Sequence, residues 1–178
     1  STIGGGYCNT TIRSYSTVSG GYCNTTIGQY SAINGGFQNK TQQNSSFVGG
    51  GVGNTSSSLY SFVGGGQFNT AFGFSATVVG GQSNKTTTNY STVSGGYLNT
   101  SSGQYSTVSG GRNNTITTQF SGILGGSGNT ISHNCSFIVG YGITTSCPNT
   151  KYVNCLSIID LPTSSVGLPS GSIWYDGA

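Results

Sequence analysis

Cys8 and Cys23 stand fifteen residues apart, and three further cysteines, Cys135, Cys147 and Cys155, gather toward the C-terminus. Thiols at such spacing can close a disulfide or stay reduced, and the letters leave both open for the first pair. One pair among the last three can clamp the chain end. Five is odd, so at least one thiol is free or bonded to another chain, including a mate in a threefold assembly. Zinc held by the last three with His133 would need a tight pair of cysteines, and there is none, so no metal site is expected. Acid–base chemistry has little to work with: Asp160 and Asp176 are the only carboxylates and His133 the only imidazole. No nucleophile elbow or phosphate-cradling loop stands between a strand and a helix. The reading is of a protein with no catalytic residues and no cofactor, not an enzyme.

A second set of candidate sites is chemical only by motif. Asn9, Asn24, Asn39, Asn44, Asn54, Asn84, Asn89, Asn99, Asn113 and Asn134 each precede a Ser or Thr by two, the acceptor pattern for N-linked sugar. Six of them, Asn9, Asn24, Asn39, Asn54, Asn84 and Asn99, fall at one phase of a repeat that generates the pattern automatically, and interior coils would bury some.

The spacing of the first two cysteines is the period of the whole chain. Residues 16–30 read STVSGGYCNTTIGQY, residues 91–105 read STVSGGYLNTSSGQY, and nine such units run from 1 to 135. A short strict period means one turn of chain stacked on the next. The third place holds Ile3, Val18, Ile33, Val48, Val63, Val78, Val93, Val108 and Ile123, all β-branched, a core column of strand formers. The first place is small in every unit and shares that face by alternation, so the interior is narrow. The fifth and sixth places are glycine in all nine units, as in Gly5 and Gly6, Gly20 and Gly21, and Gly95 and Gly96. They mark a sharp turn, a close backbone approach, or both. The ninth place is Asn throughout, including Asn9, Asn24 and Asn99, which reads as a second, left-handed corner with a hydrogen-bonded ladder. Two strands per unit are expected, over the first to fourth and the tenth to fifteenth places. The aromatics at the fifteenth place (Tyr15, Tyr30, Tyr60, Tyr90, Tyr105, Phe120) are expected to join the apolar payload.

Fifteen residues cannot hold a strand, helix and strand, a unit of about 30 residues. The fold expected is all-β: a single-stack parallel β-roll, or solenoid, of fifteen-residue coils. Nine coils at about 4.8 Å would stand near 40 Å tall. One thin apolar column opposes an ordering cost of about 1.5 kcal/mol per residue, so help from self-association or disulfides is expected.

Composition excludes other classes. Of 178 residues 32 are Gly and seven are charged, for a net charge of +3. The cations Arg13, Lys40, Lys85, Arg112 and Lys151 form no stripe, so no nucleic-acid partner is expected. Disorder has no need of phase-locked Val and Gly, and without a long apolar run no membrane insertion is expected. Paired threonines such as Thr10 and Thr11 suggest ice binding, but neighbours in a strand face opposite ways and Lys40 and Lys85 interrupt the outward lane. A start on a repeat boundary suggests a piece of a longer protein.

The pattern of a small residue, Thr, Val, Gly-Gly, two variable places and Asn resembles the head repeats of YadA-like trimeric autotransporter adhesins, a repeat type found also in phage tail-fibre and large-virus structural proteins. The resemblance covers residues 1–140. It implies a left-handed parallel β-roll, three chains packed side by side about one axis, and a role in attachment. After Cys135 the register decays, with Tyr141 at the second glycine place and Thr144 at the Asn place. Residues 141–178 are read as a cap and tail, whose DLPTSS, GLPSG and WYDG resemble a segment near the C-terminal ends of virion proteins. Leu156, Ile158, Ile159, Leu161, Ile173 and Trp174 would cover the last coil or join three chains.

The function expected from these readings is a non-enzymatic fibre or appendage segment on a virion surface or in the extracellular space, a homotrimer giving rigid multivalent display. Tyr7, Tyr22, Phe37 and Tyr97 at the seventh place are candidate contacts for a host glycan or protein. The alternatives are the head of a secreted bacterial trimeric adhesin and a filament subunit that associates end to end.

Overall fold

The computed structural model describes residues 1–154. Within them there is no helix, and every strand pairing is parallel. The chain forms a β-solenoid of about ten turns at a spacing of about fifteen residues. Strands at the second and third places build an eleven-stranded sheet, and strands at the tenth and eleventh places build a nine-stranded one. Each rung lies on the equivalent letters of the next, with Thr17 on Thr2, Val18 on Ile3 and Thr26 on Thr11.

The strands are shorter than the sequence suggests, mostly two residues each. Every unit bends at places eight and fifteen, where, apart from Gly53 and Gly128, non-glycine residues take positive φ, as at Cys23 (53°) and Tyr30 (57°). A third line of contact, single bridges at the seventh place running from Tyr7 and Tyr22 to Arg112 and Ser127, completes each turn. The expected left-handed Asn is thus displaced by one position. The residue before it makes the corner, and the ninth-place asparagines keep ordinary φ.

The third-place column, Val18, Ile33, Val48, Val63, Val78, Val93 and Val108, is fully buried. It shares its core with a second column, the eleventh place, whose mostly polar residues do not announce burial. There Thr26, Thr41, Ser56, Ala71, Thr86, Ser101, Ile116 and Ile131 are equally enclosed. First-place serines are buried beside them and fasten the corner they follow: Ser16 Oγ donates to the Arg13 carbonyl and Ser91 Oγ to that of Thr88, each at 2.6 Å.

The fifteenth-place aromatics are not core. Tyr15 is 67% exposed and Phe120 55%. Positive φ at the corner turns the side chain out, while the interior behind it has room only for a serine or alanine. The rings stack on one another along the axis instead: Tyr15 on Tyr30 and Tyr90 on Tyr105 at 5.1 Å, and Tyr105 on Phe120 at 5.3 Å. Where the fifth unit has Ser75 at this place, Phe74 reaches in edge-on between Tyr60 and Tyr90, 5.5 Å from each.

The pairing continues past residue 140, because the register does not decay but skips one residue. Gly140 lies on Gly126 and Tyr141 on Ser127, so Gly140 takes the sixth place and Tyr141 the seventh. The Ile143 amide bonds the Asn129 side chain, and Thr144 bridges Thr130. The assignment of Tyr141 to the second glycine and Thr144 to the Asn place is thereby corrected. A further strand, Lys151–Val153, pairs with Phe137–Tyr141. Cys155, both carboxylates, and the proposed covering residues Leu156, Ile158, Ile159, Leu161, Ile173 and Trp174 lie outside the described residues.

Candidate functional site

The most regular polar feature is the ninth-place ladder. The Asn24 amide donates to Asn9 Oδ1 at 3.0 Å, and Asn24 Nδ2 donates to the carbonyls of Gly20 at 3.0 Å and Gly36 at 2.9 Å. Its Oδ1 in turn accepts from the Asn39 amide, so the side chain ties its own coil to the next, and the backbone amide ties the residue to the coil before. The same set recurs at Asn39, Asn54, Asn69, Asn84, Asn99 and Asn114. A buried amide is tolerated only when its donors and acceptor are used, and here both Nδ2 hydrogens and Oδ1 are. At the last rung Asn129 Oδ1 accepts from Ile143, an aliphatic residue that cannot extend the ladder.

The sixth-place glycines make this approach fit. Gly21 has φ +93°, and a Cβ there would lie 2.3 Å from the Gly36 carbonyl oxygen and 2.6 Å from Asn24 Nδ2. Gly6 and Gly96 are in the same situation. The fifth-place glycines are not: a Cβ on Gly95 meets nothing within 4 Å, and one on Gly20 only the Gly5 carbonyl at 4.0 Å. The paired glycines, identical in sequence, thus separate into a sixth place where a Cβ collides and a fifth place where it does not, although Gly5, Gly35 and Gly50 still need glycine for their φ of +143° to +150°.

This geometry corrects the six ladder sequons. Asn24, Asn39, Asn54, Asn84 and Asn99 are buried, and the Nδ2 that would carry a sugar is enclosed between two carbonyls. Asn9 is half-buried with its Nδ2 bonded in the same way, at 2.8 Å to Gly5 and Gly21. A sugar at any of them would replace one of the two bonded Nδ2 hydrogens and part the coils. Asn89, Asn113 and Asn134 are exposed, while Asn44 is half-buried with Oδ1 bonded to the Gln29 amide.

Cys8, Cys23, Cys135 and Cys147 carry no disulfide among the described residues. Cys8 and Cys23 sit on successive rungs of the eighth-place corner, and the hydrogen bond to Cys8, with burial, pushes the Cys23 thiol up. Cys135 occupies the exposed fifteenth-place corner. Cys147 lies in a turn where Sγ is 3.2 Å from Thr150 Oγ1 and 3.3 Å from the Tyr152 hydroxyl, and these hydrogen bonds, Thr150 foremost, draw its thiol down. The Tyr152 hydroxyl also accepts from the amides of Ser146 and Cys147, both at 2.9 Å. His133 Nδ1 meets the hydroxyls of Thr145 at 3.1 Å and Ser132 at 3.2 Å. No carboxylate stands among the described residues to orient it.

The seventh-place aromatics lie outside, Tyr7 at 68% exposure. Tyr7, Tyr22 and Phe37 stack in sequence at 5.3 Å, so most ring faces are taken by neighbouring rings and edges point to solvent. A sugar that binds by lying on an aromatic face finds little of it here. Tyr97 stands alone between Gln82 and Arg112. A shallow apolar depression lined by Leu124, Gly125, Gly126, Val139, Gly140 and Tyr141 marks the C-terminal end of the larger sheet.

No protein-family model matches this chain, and no curated protein matches it either.

Proposed function

We propose that this chain is a structural segment of a trimeric fibre or surface appendage, of the virion kind, that works by rigidity and by repeated display of one surface. The observation that carries this reading is the Asn ladder. Every interior rung is tied to the rung on either side by side-chain as well as backbone hydrogen bonds, so bending the rod requires breaking buried bonds on several coils together. Weak contacts repeated along three such rods reach useful avidity without a deep pocket.

Side-by-side packing is supported by the outward face of the larger sheet. Phe47 stacks on Phe62 at 5.4 Å at mid-height, and Leu124, Val139 and Tyr141 are exposed toward the end. Apolar surface of this kind marks contacts between chains. The resemblance to YadA-like head repeats supports the same arrangement. Sedimentation equilibrium of the isolated chain, with electron microscopy of the same sample, tests it. Short rods with three times the chain mass are expected. A stable monomer overturns the reading, and open-ended fibres replace it with the filament subunit.

A further inference from the structure

Cys8 and Cys23 are the only described cysteines that share a column on adjacent rungs. The bridge between Tyr7 and Tyr22 fixes their register, and the Cys23 amide donates to the Tyr7 carbonyl at 2.9 Å. Both residues have the same left-handed backbone, φ 58° and 53°, so both Cβ atoms leave the corner in the same direction. Parallel rungs in register put their Cα atoms about 4.8 Å apart, within the span of about 4.4–6.8 Å that a disulfide bridges. Cys8 is exposed and Cys23 half-buried, so a small oxidant reaches the first directly.

We propose that Cys8 and Cys23 are an oxidisable pair that closes into a disulfide running along the solenoid axis and fastens the first two coils together. The proposal stands apart from the fibre reading and holds for a monomer equally. With a small-molecule disulfide such as oxidised glutathione as co-reactant, the Cys8 thiolate attacks one of its sulfurs and releases one glutathione thiolate. The Cys23 thiolate then attacks the Cys8 sulfur of the mixed disulfide and releases the second. The protein gives up two protons and two electrons, and the glutathione disulfide takes up both as two thiols. Because the Cys8 hydrogen bond holds the Cys23 thiol above its usual range, the second step accelerates as the pH rises and the thiolate forms.

The sequence supplies its own test, since Arg13 separates the two cysteines and Lys40 is the next tryptic site. The reduced full chain is treated with oxidised glutathione at about pH 7 and about pH 8.5, blocked, digested with trypsin and mapped by mass spectrometry. Peptides 1–13 and 14–40 are expected joined by one disulfide within a single chain, formed faster at the higher pH. Amide exchange in the first two coils is expected to slow by roughly tenfold or more. Cys8→Ser and Cys23→Ser each lose the joined peptide and carry glutathione on the remaining thiol. Glutathione on both cysteines of the unmodified sequence with no joined peptide overturns the proposal. So does a joined peptide that mixes isotope labels from two differently labelled samples, or one that links either cysteine to Cys135 or Cys147.

Discussion

The third and ninth places and the eleventh place face the same narrow interior, yet they are built to different tolerances. The third place admits only Val or Ile and the ninth only Asn, whereas the eleventh holds Thr, Ser, Ala and Ile. Hydrogen bonding explains the contrast. Each interior ninth-place amide has all of its groups engaged, one Nδ2 hydrogen within its own coil and the other with Oδ1 on the next, so no other side chain can stand in for it. The eleventh-place hydroxyls have no common partner. Ser56 and Ser101 turn onto Ser61 and Ser106 at 2.6 Å, while the Oγ1 atoms of Thr26, Thr41 and Thr86 are buried with no partner at all. A column whose polar atoms have no fixed task can change residue type from coil to coil. A column whose side chains tie each coil to the next cannot.

The contrast breaks most sharply at the middle of the ladder. Asn69→Ala leaves the carbonyls of Gly65 and Gly81 and the amide of Asn84 without their side-chain partners. The Gly81 carbonyl keeps the bond from the Gln67 amide, so at about 1–3 kcal/mol for each of the other two groups left unpaired a loss of roughly 2 kcal/mol or more is expected. Urea unfolding followed by circular dichroism checks it, and a loss below about 1 kcal/mol would mean that the ladder is decoration. Val78→Thr is the next test. It places a hydroxyl in the column that has none and should cost about 1–3 kcal/mol, because Thr matches Val in shape but not in polarity. The reverse exchange, Thr41→Val, removes an unpartnered buried hydroxyl at nearly constant shape. It should stabilise by about 1 kcal/mol, read as a higher urea midpoint with an unchanged slope. If both exchanges destabilise equally, the two columns are alike and the comparison fails.

How much of this was legible follows the same division. The period of fifteen, the parallel stacking and the third-place column are plain in the letters, because β-branched residues held at one phase of a short repeat must stack on a single buried face. The eleventh-place column was hidden, since Thr26 and Ser56 read as polar and only Ile116 and Ile131 betray a buried lane. The outward turn of Tyr15 and Tyr90 was hidden for a related reason: an aromatic at a fixed phase suggests a core, and only the φ of the corner says otherwise. The skipped residue before Gly140 was invisible because one deletion shifts every later letter, and it is the pairing of Gly140 with Gly126 that restores the frame. The Asn phase was legible and its left-handed corner was not, because the corner residue at place eight varies among Cys, Gln, Gly, Phe, Ser, Leu and Asn.

The smallest effect belongs to a pair that sequence cannot tell apart. Gly95 and Gly96 are neighbours, both invariant in phase, yet a Cβ on Gly96 would lie 2.1 Å from the Gly111 carbonyl oxygen with the backbone at φ +91°, and one on Gly95 meets open space. Gly96→Ala must push two coils apart and cuts into the bonds that Asn99 makes to Gly95 and Gly111, so a loss comparable to Asn69→Ala is expected. Gly95→Ala has no such neighbour, and it restricts the unfolded chain more than the folded one. A change between zero and a gain of about 1 kcal/mol is expected, measured by the same urea midpoint. If Gly95→Ala instead costs as much as Gly96→Ala, the open side of the corner is occupied in solution by something that excludes a methyl group. The proposed side-by-side packing of chains is then the first contact to examine, by repeating the measurement across protein concentration, where a loss that deepens on assembly locates the neighbour at this corner.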